Sequence, residues 1–160
     1  MSYRSGDKYQ KTPSPKAAVE TASDRMLRET AAILTREKVF PKRSRWLFGQ
    51  EIMRIANRYH TAVAYANGIR VTNHALFVQR YTAQSLAIAW LYALNVKMTA
   101  AQLCCSAPLD SFEAWSDTWA AADDLAKAWR AADVRRYEEQ FGGLTADELG
   151  EASSKAGGVV

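Results

Sequence analysis

Residues 40–52 read FPKRSRWLFGQEI, and this stretch sets how the rest of the chain is divided. Proline disfavours helical conformation in the residue before it, so Pro41 stops any helix arriving from the N-terminal side. Beyond it an apolar pattern resumes. Ser44 is a favourable N-cap, and Ile52, Met53, Ala56, Val63 and either Tyr59 or His60 recur at three- and four-residue steps. The stretch therefore reads as a turn between two helices. Yet Lys42, Arg43 and Arg45 stand at the N-terminus of the second one. The helix macrodipole disfavours cations there by about 0.3–1 kcal/mol each. Their placement needs a reason outside the helix.

Working outward, Ser23 or Asp24 caps a first helix that ends near Lys38, with Met26, Leu27, Ile33 and Leu34 inward. The second helix runs to about Asn67, with Gly68 as its C′ stop. Asn73 caps a third helix to about Leu94. Between Tyr81 and Leu94 only Thr82, Gln84 and Ser85 are distinctly polar, so this helix is expected to meet a neighbouring subunit as well as its own core. Pro108 and Asp110 open a fourth helix from about Ser111 to Gln140. Trp115, Trp119, Ala122, Ala126 and Trp129 share one of its faces, and Asp123 can pair with Lys127. The expected organisation is all-α: a flexible basic arm (1–20), an antiparallel four-helix bundle (21–141), and a short helix with a disordered tail (142–160).

Charge is uneven along the 160 residues. The first eighty carry 15 Lys/Arg against 6 Asp/Glu, the second eighty 6 against 11. A basic first half points to an anionic partner, and equally to two halves attracting one another within a bundle. No segment has the roughly 18 uninterrupted apolar residues of a membrane span, and residues 1–16 contain no apolar signal core. The expectation is a cytoplasmic protein with no membrane partner.

Catalytic and cofactor signals are weak. Gly49 and Gly68 stand alone rather than in a phosphate loop, and there is no nucleophile elbow or inward Glu-x-x-His set. His60 reads as a packed residue, Asp123-Asp124 as a solvated patch, and adjacent Cys104 and Cys105 as small buried or half-buried residues. The tryptophan stripe reads as core, because acidic neighbours would repel a phosphate backbone. No enzyme, metal or cofactor is expected. The better candidates are basic: REKVFPKRSR (36–45) holds five Lys/Arg, among them Lys38, Lys42, Arg43 and Arg45. Arg54 and Arg58 lie one turn apart on the second helix, and Arg70 sits in the next connection.

The turn also resembles a family motif. Phe40, Pro41, Lys42, Arg45, Gly49 and Ile52 match, in order and spacing, the FPK-x-x-R-x-x-x-G-x-x-I signature of a four-helix bundle family. That family includes the accessory variability determinant (Avd) proteins of diversity-generating retroelements. It also includes the proteins encoded in intervening sequences of bacterial large-subunit ribosomal RNA genes. Ala66-Asn67 resembles the close of the family's second helix, and Arg80 a recurrent arginine of its third. The resemblance spans roughly residues 21–141. It implies a basic homopentameric barrel that binds a reverse transcriptase together with template RNA or complementary DNA, without being a polymerase itself. Phe40 would pack inward, Gly49 would admit a neighbouring helix, and Arg80 would join the seven basic residues above on the nucleic-acid surface. Two alternatives stay open: a protein of the ribosomal intervening-sequence type, and a scaffold for an acidic protein.

Overall fold

The computed structural model of the chain describes residues 13–105 and 107–158. These form α1 (Pro15–Thr35), a three-residue helical turn α2 (Lys42–Ser44), a π-helical turn (Arg45–Gly49), α3 (Gln50–Gly68), α4 (His74–Cys105), α5 (Asp110–Phe141) and α6 (Ala146–Gly157), with no strand among the described residues. α1 packs on α3 and α5, α3 on α4, and α4 on α5 and α6. Cross-helix bonds give the directions. Ser23 meets His60 while Lys16 meets the Asn67 carbonyl, and Trp119 meets the Leu91 carbonyl while Arg80 meets Asp133. In each pair of helices one number rises as the other falls, so neighbours are antiparallel. The fold is all-helical and bundle-like. The turn after α1, the C-terminus of α4 and the start of α5 share one end; the α3–α4 connection and α6 share the other.

The apolar periodicity locates the core. Met26, Ile33 and Leu34 of α1, Ile52, Ala56, Tyr59 and Val63 of α3, and Trp115, Ala122, Ala126 and Trp129 of α5 are all buried. Tyr59, rather than His60, is the inward residue, and Met53 is only half-buried. Phe40 is fully buried and meets Phe112 edge-on at 5.7 Å. That burial stabilises the turn by about 1.5–3 kcal/mol.

Several boundaries differ from the sequence expectation, each for a local reason. α1 starts at Pro15 because the Ser14 hydroxyl accepts from the Ala17 N–H and Pro15 occupies the first turn, where its missing N–H costs nothing. Residues 15–20 thus belong to a helix instead of the flexible arm, while 1–12 lie outside the described residues. α1 ends at Thr35, short of Lys38. Ser44 is not a cap: its φ −71 and ψ −36 are helical and its side chain makes no cap bond, since helix already begins at Lys42 after Pro41. Gly68 is not a left-handed stop either; α3 ends on extended Ile69 (φ −72, ψ 111). α4 continues past Leu94 to Cys105, which leaves Cys104 exposed and Cys105 half-buried. Asp123 is buried beside Lys127, with Nζ at 2.6 Å, whereas Asp124 is exposed.

The C-terminal segment is helical to Gly157, further than the expected disordered tail allows. The cause is a complete capping box. Thr145 Oγ1 accepts from the Glu148 N–H at 3.3 Å, and Glu148 returns an acceptor to the Thr145 N–H at 2.8 Å. His74, at the start of α4, then ties α6 down through Nε2 to Glu148 at 2.9 Å and Nδ1 to the Phe141 carbonyl at 3.1 Å.

Candidate nucleic-acid interface

The eight basic candidates occupy four different places. Lys38, Lys42 and Arg43 are exposed on and just after the turn at one end of the bundle. None has a carboxylate within ion-pair distance among the described residues, where the cationic partners are Arg25, Arg45, Arg54, Arg80, Lys127, Lys155 and two histidines. Arg45 is half-buried and donates to Glu37 at 3.2 Å, so its charge is partly offset.

Arg54 and Arg58 lie on the side of the bundle. Arg54 forks onto Glu51 with two bonds of 2.9 and 2.7 Å, and that bond holds the Glu51 carboxyl below its ordinary range. The Arg58 guanidinium lies 4.8 Å from the Trp90 ring centroid. Both line an open groove of about 790 Å³ between α3 and α4, walled by Met53, Tyr65, Leu86 and Trp90. The apolar character expected of α4 is thus partly displayed to solvent.

Arg70 is exposed at the far end of the bundle. α3 alone rises about 28 Å at 1.5 Å per residue, so Arg70 and the turn cluster are not one surface.

Arg80 is 5% exposed, with Nε 2.6 Å from Asp133 and Nη1 donating to the Ala66 and Ile69 carbonyls. It ties α3, α4 and α5 together at the end of the bundle away from the basic turn. At Gly49 a Cβ would meet only Arg45 Cβ, at 3.9 Å, so no helix among the described residues approaches it closely.

The structure adds residues at the basic end that sequence reasoning passed over. Trp46 and Leu47, three to five residues along the chain from Lys42 and Arg43, are 78% and 55% exposed. Exposed Lys97 lies close enough to Glu51 to lower its pKa, because α4 runs antiparallel to α3 and ends beside its start. The exposure of Trp46 and Leu47 was readable only with the helical phase of the π turn in hand. Three unpaired cations beside an exposed indole can hold phosphates and stack a base.

Among the described residues no helix is long and apolar enough to cross a membrane, and no group of three His, Cys, Asp or Glu stands together. Comparison with family models, curated proteins and solved structures finds no match to this chain.

Proposed function

We propose that the chain is a non-catalytic, nucleic-acid-binding accessory subunit of a diversity-generating retroelement reverse transcriptase, supporting mutagenic copying of template RNA into complementary DNA. One observation carries the nucleic-acid part. Lys38, Lys42 and Arg43 are exposed on one connection without a carboxylate partner among the described residues, while the flanking Arg45 and Arg54 are engaged by glutamates. Placing Lys42 and Arg43 against the macrodipole costs about 0.6–2 kcal/mol in total, which a few phosphate contacts offset. Such contacts position a backbone without reading its bases, so selectivity falls to RNA shape or to the polymerase.

The polymerase partner rests on the resemblance of the turn motif. So does assembly into a homopentamer in the cytoplasm. The α3–α4 groove with half-buried Leu86 and Trp90, and a glycine at position 49 that its own chain does not require, are surfaces that a neighbouring copy would cover. Five copies would carry a formal charge of +20 from +4 each.

Trp46 and Leu47 favour one other reading, a scaffold whose basic and apolar end meets an acidic protein. Co-expression with the reverse transcriptase of a diversity-generating retroelement and its template RNA separates the two. A complex holding several copies of this chain with polymerase and RNA supports the accessory role. An oligomer that purifies free of both leaves the scaffold reading in its place.

A further inference from the structure

Away from the basic turn, at the opposite end of the bundle, a cavity of about 470 Å³ opens between the start of α1, the α3–α4 connection and the last turns of α5. We infer that it is a binding site for a phosphate monoester of nucleotide size. The inference does not rest on the nucleic-acid role of the turn.

Four cations line the cavity, Lys16, Arg70, Arg80 and Arg136, against one carboxylate, Asp133. That carboxylate is already engaged by Arg80 Nε at 2.6 Å and Gln84 at 2.7 Å. Glu20 lies nearby but accepts from the Asn67 amide at 2.9 Å. Arg70 and Arg136 are exposed, at the rim, and neither has a carboxylate within ion-pair distance among the described residues. Lys16 gives one bond, 3.0 Å to the Asn67 carbonyl, leaving two of its protons.

The deep wall is more telling. Arg80 is 5% exposed and lines the cavity, with Nε and Nη1 bonded to Asp133 and to the Ala66 and Ile69 carbonyls. A buried guanidinium lining a cavity whose rim carries two arginines without carboxylate partners among the described residues is an anion-binding arrangement. A dianion suits it better than a singly charged group, because the lining carries three cations more than its carboxylate balances. Buried Trp129 and half-buried Tyr137 supply apolar wall for the rest of the ligand. The volume falls within the range of about 300–1,000 Å³ usual for small-molecule sites.

The test is calorimetric titration of the full chain with 5′-AMP and with adenosine, with circular dichroism as the folding control. The expected result is saturable one-to-one binding of 5′-AMP and none of adenosine. Arg70→Ala/Arg136→Ala, both surface changes, should weaken 5′-AMP binding about tenfold or more, which is about 1.4 kcal/mol. Lys42→Glu/Arg43→Glu should leave it unchanged even where longer nucleic acid is lost, which keeps this site separate from the turn. A 5′-phosphorylated dinucleotide that binds as tightly as 5′-AMP assigns the site to a strand end, and weaker binding assigns it to the free nucleotide. Equal binding of adenosine and 5′-AMP, or equal binding by the folded double variant, overturns the inference.

Discussion

Replacing Arg80 by methionine should be among the most damaging single substitutions in the chain. The change leaves the Asp133 carboxylate, whose side chain is 8% exposed, with Gln84 as its one remaining bond, and takes the donor from the Ala66 and Ile69 carbonyls. Breaking a buried pair by removing one partner costs about 3–5 kcal/mol, mostly for the charge left behind. Total stabilities run about 5–15 kcal/mol, so the loss is a third or more of a typical value. At about 2–4 °C per kcal/mol for a chain of this size, the melting temperature should fall roughly 6–20 °C. Urea denaturation followed by far-UV circular dichroism measures it. The same reasoning predicts that Arg80→Met/Asp133→Leu recovers much of the loss, because no buried charge remains unpaired. An Arg80→Met variant within about 1 kcal/mol of wild type, at an unchanged denaturant slope, would refute the claim that this pair holds the helices.

Tyr59 is fully buried with no partner for its hydroxyl among the described residues, and burial together with the Asp123 charge pushes its phenol well above the ordinary tyrosine range. Tyr59→Phe should therefore raise the denaturation midpoint, by about 1 kcal/mol, and a clear drop would mean that the hydroxyl has a partner. Thr145→Ala breaks the capping box and should cost about 1 kcal/mol, seen as faster amide exchange in α6 with α3 unaffected; uniform protection would contradict it. The Thr145 N–H, and then His74, hold the Glu148 carboxyl below the ordinary 4.5. Folding therefore favours its ionised form, and the contribution is complete above pH 4.5 and lost as pH falls through the lower folded value. Protection factors in α6 should drop on acidification below that point, and Glu148→Gln should remove the dependence.

The four long helices were legible because each carries an apolar stripe at helical spacing between clear breakers. Ile52, Val63, Trp115 and Trp129 all fall where that spacing puts them, and Phe40 is buried as the resemblance of the turn motif implies. Helix starts and stops were harder. Ser14-Pro15 is a start signal, but Pro15 within a polar segment reads as a breaker until its missing N–H is placed in the first turn. Ser44 has a cap's chemistry without a cap's backbone, because Pro41 had already turned the chain.

The basic candidates were legible as residue types and not as one surface. Spacing shows that Arg54 and Arg58 share a face, but not that Glu51 and Trp90 already occupy them. Arg80 carries the same charge as Lys42, and only its antiparallel neighbour Asp133 makes it an internal strut. Such long-range pairings depend on register between helices, which no local pattern records.

Fluorescence anisotropy of a labelled single-stranded RNA across a salt series tests the three exposed cations at the turn most directly. Three phosphate contacts on a single strand predict a slope of log affinity against log salt of about −2, or roughly 20-fold weaker binding at 200 mM than at 50 mM salt. Lys38→Glu/Lys42→Glu/Arg43→Glu, still folded, should lose both the affinity and the slope. Equal affinity and slope in that variant would contradict a nucleic-acid interface at this end of the bundle.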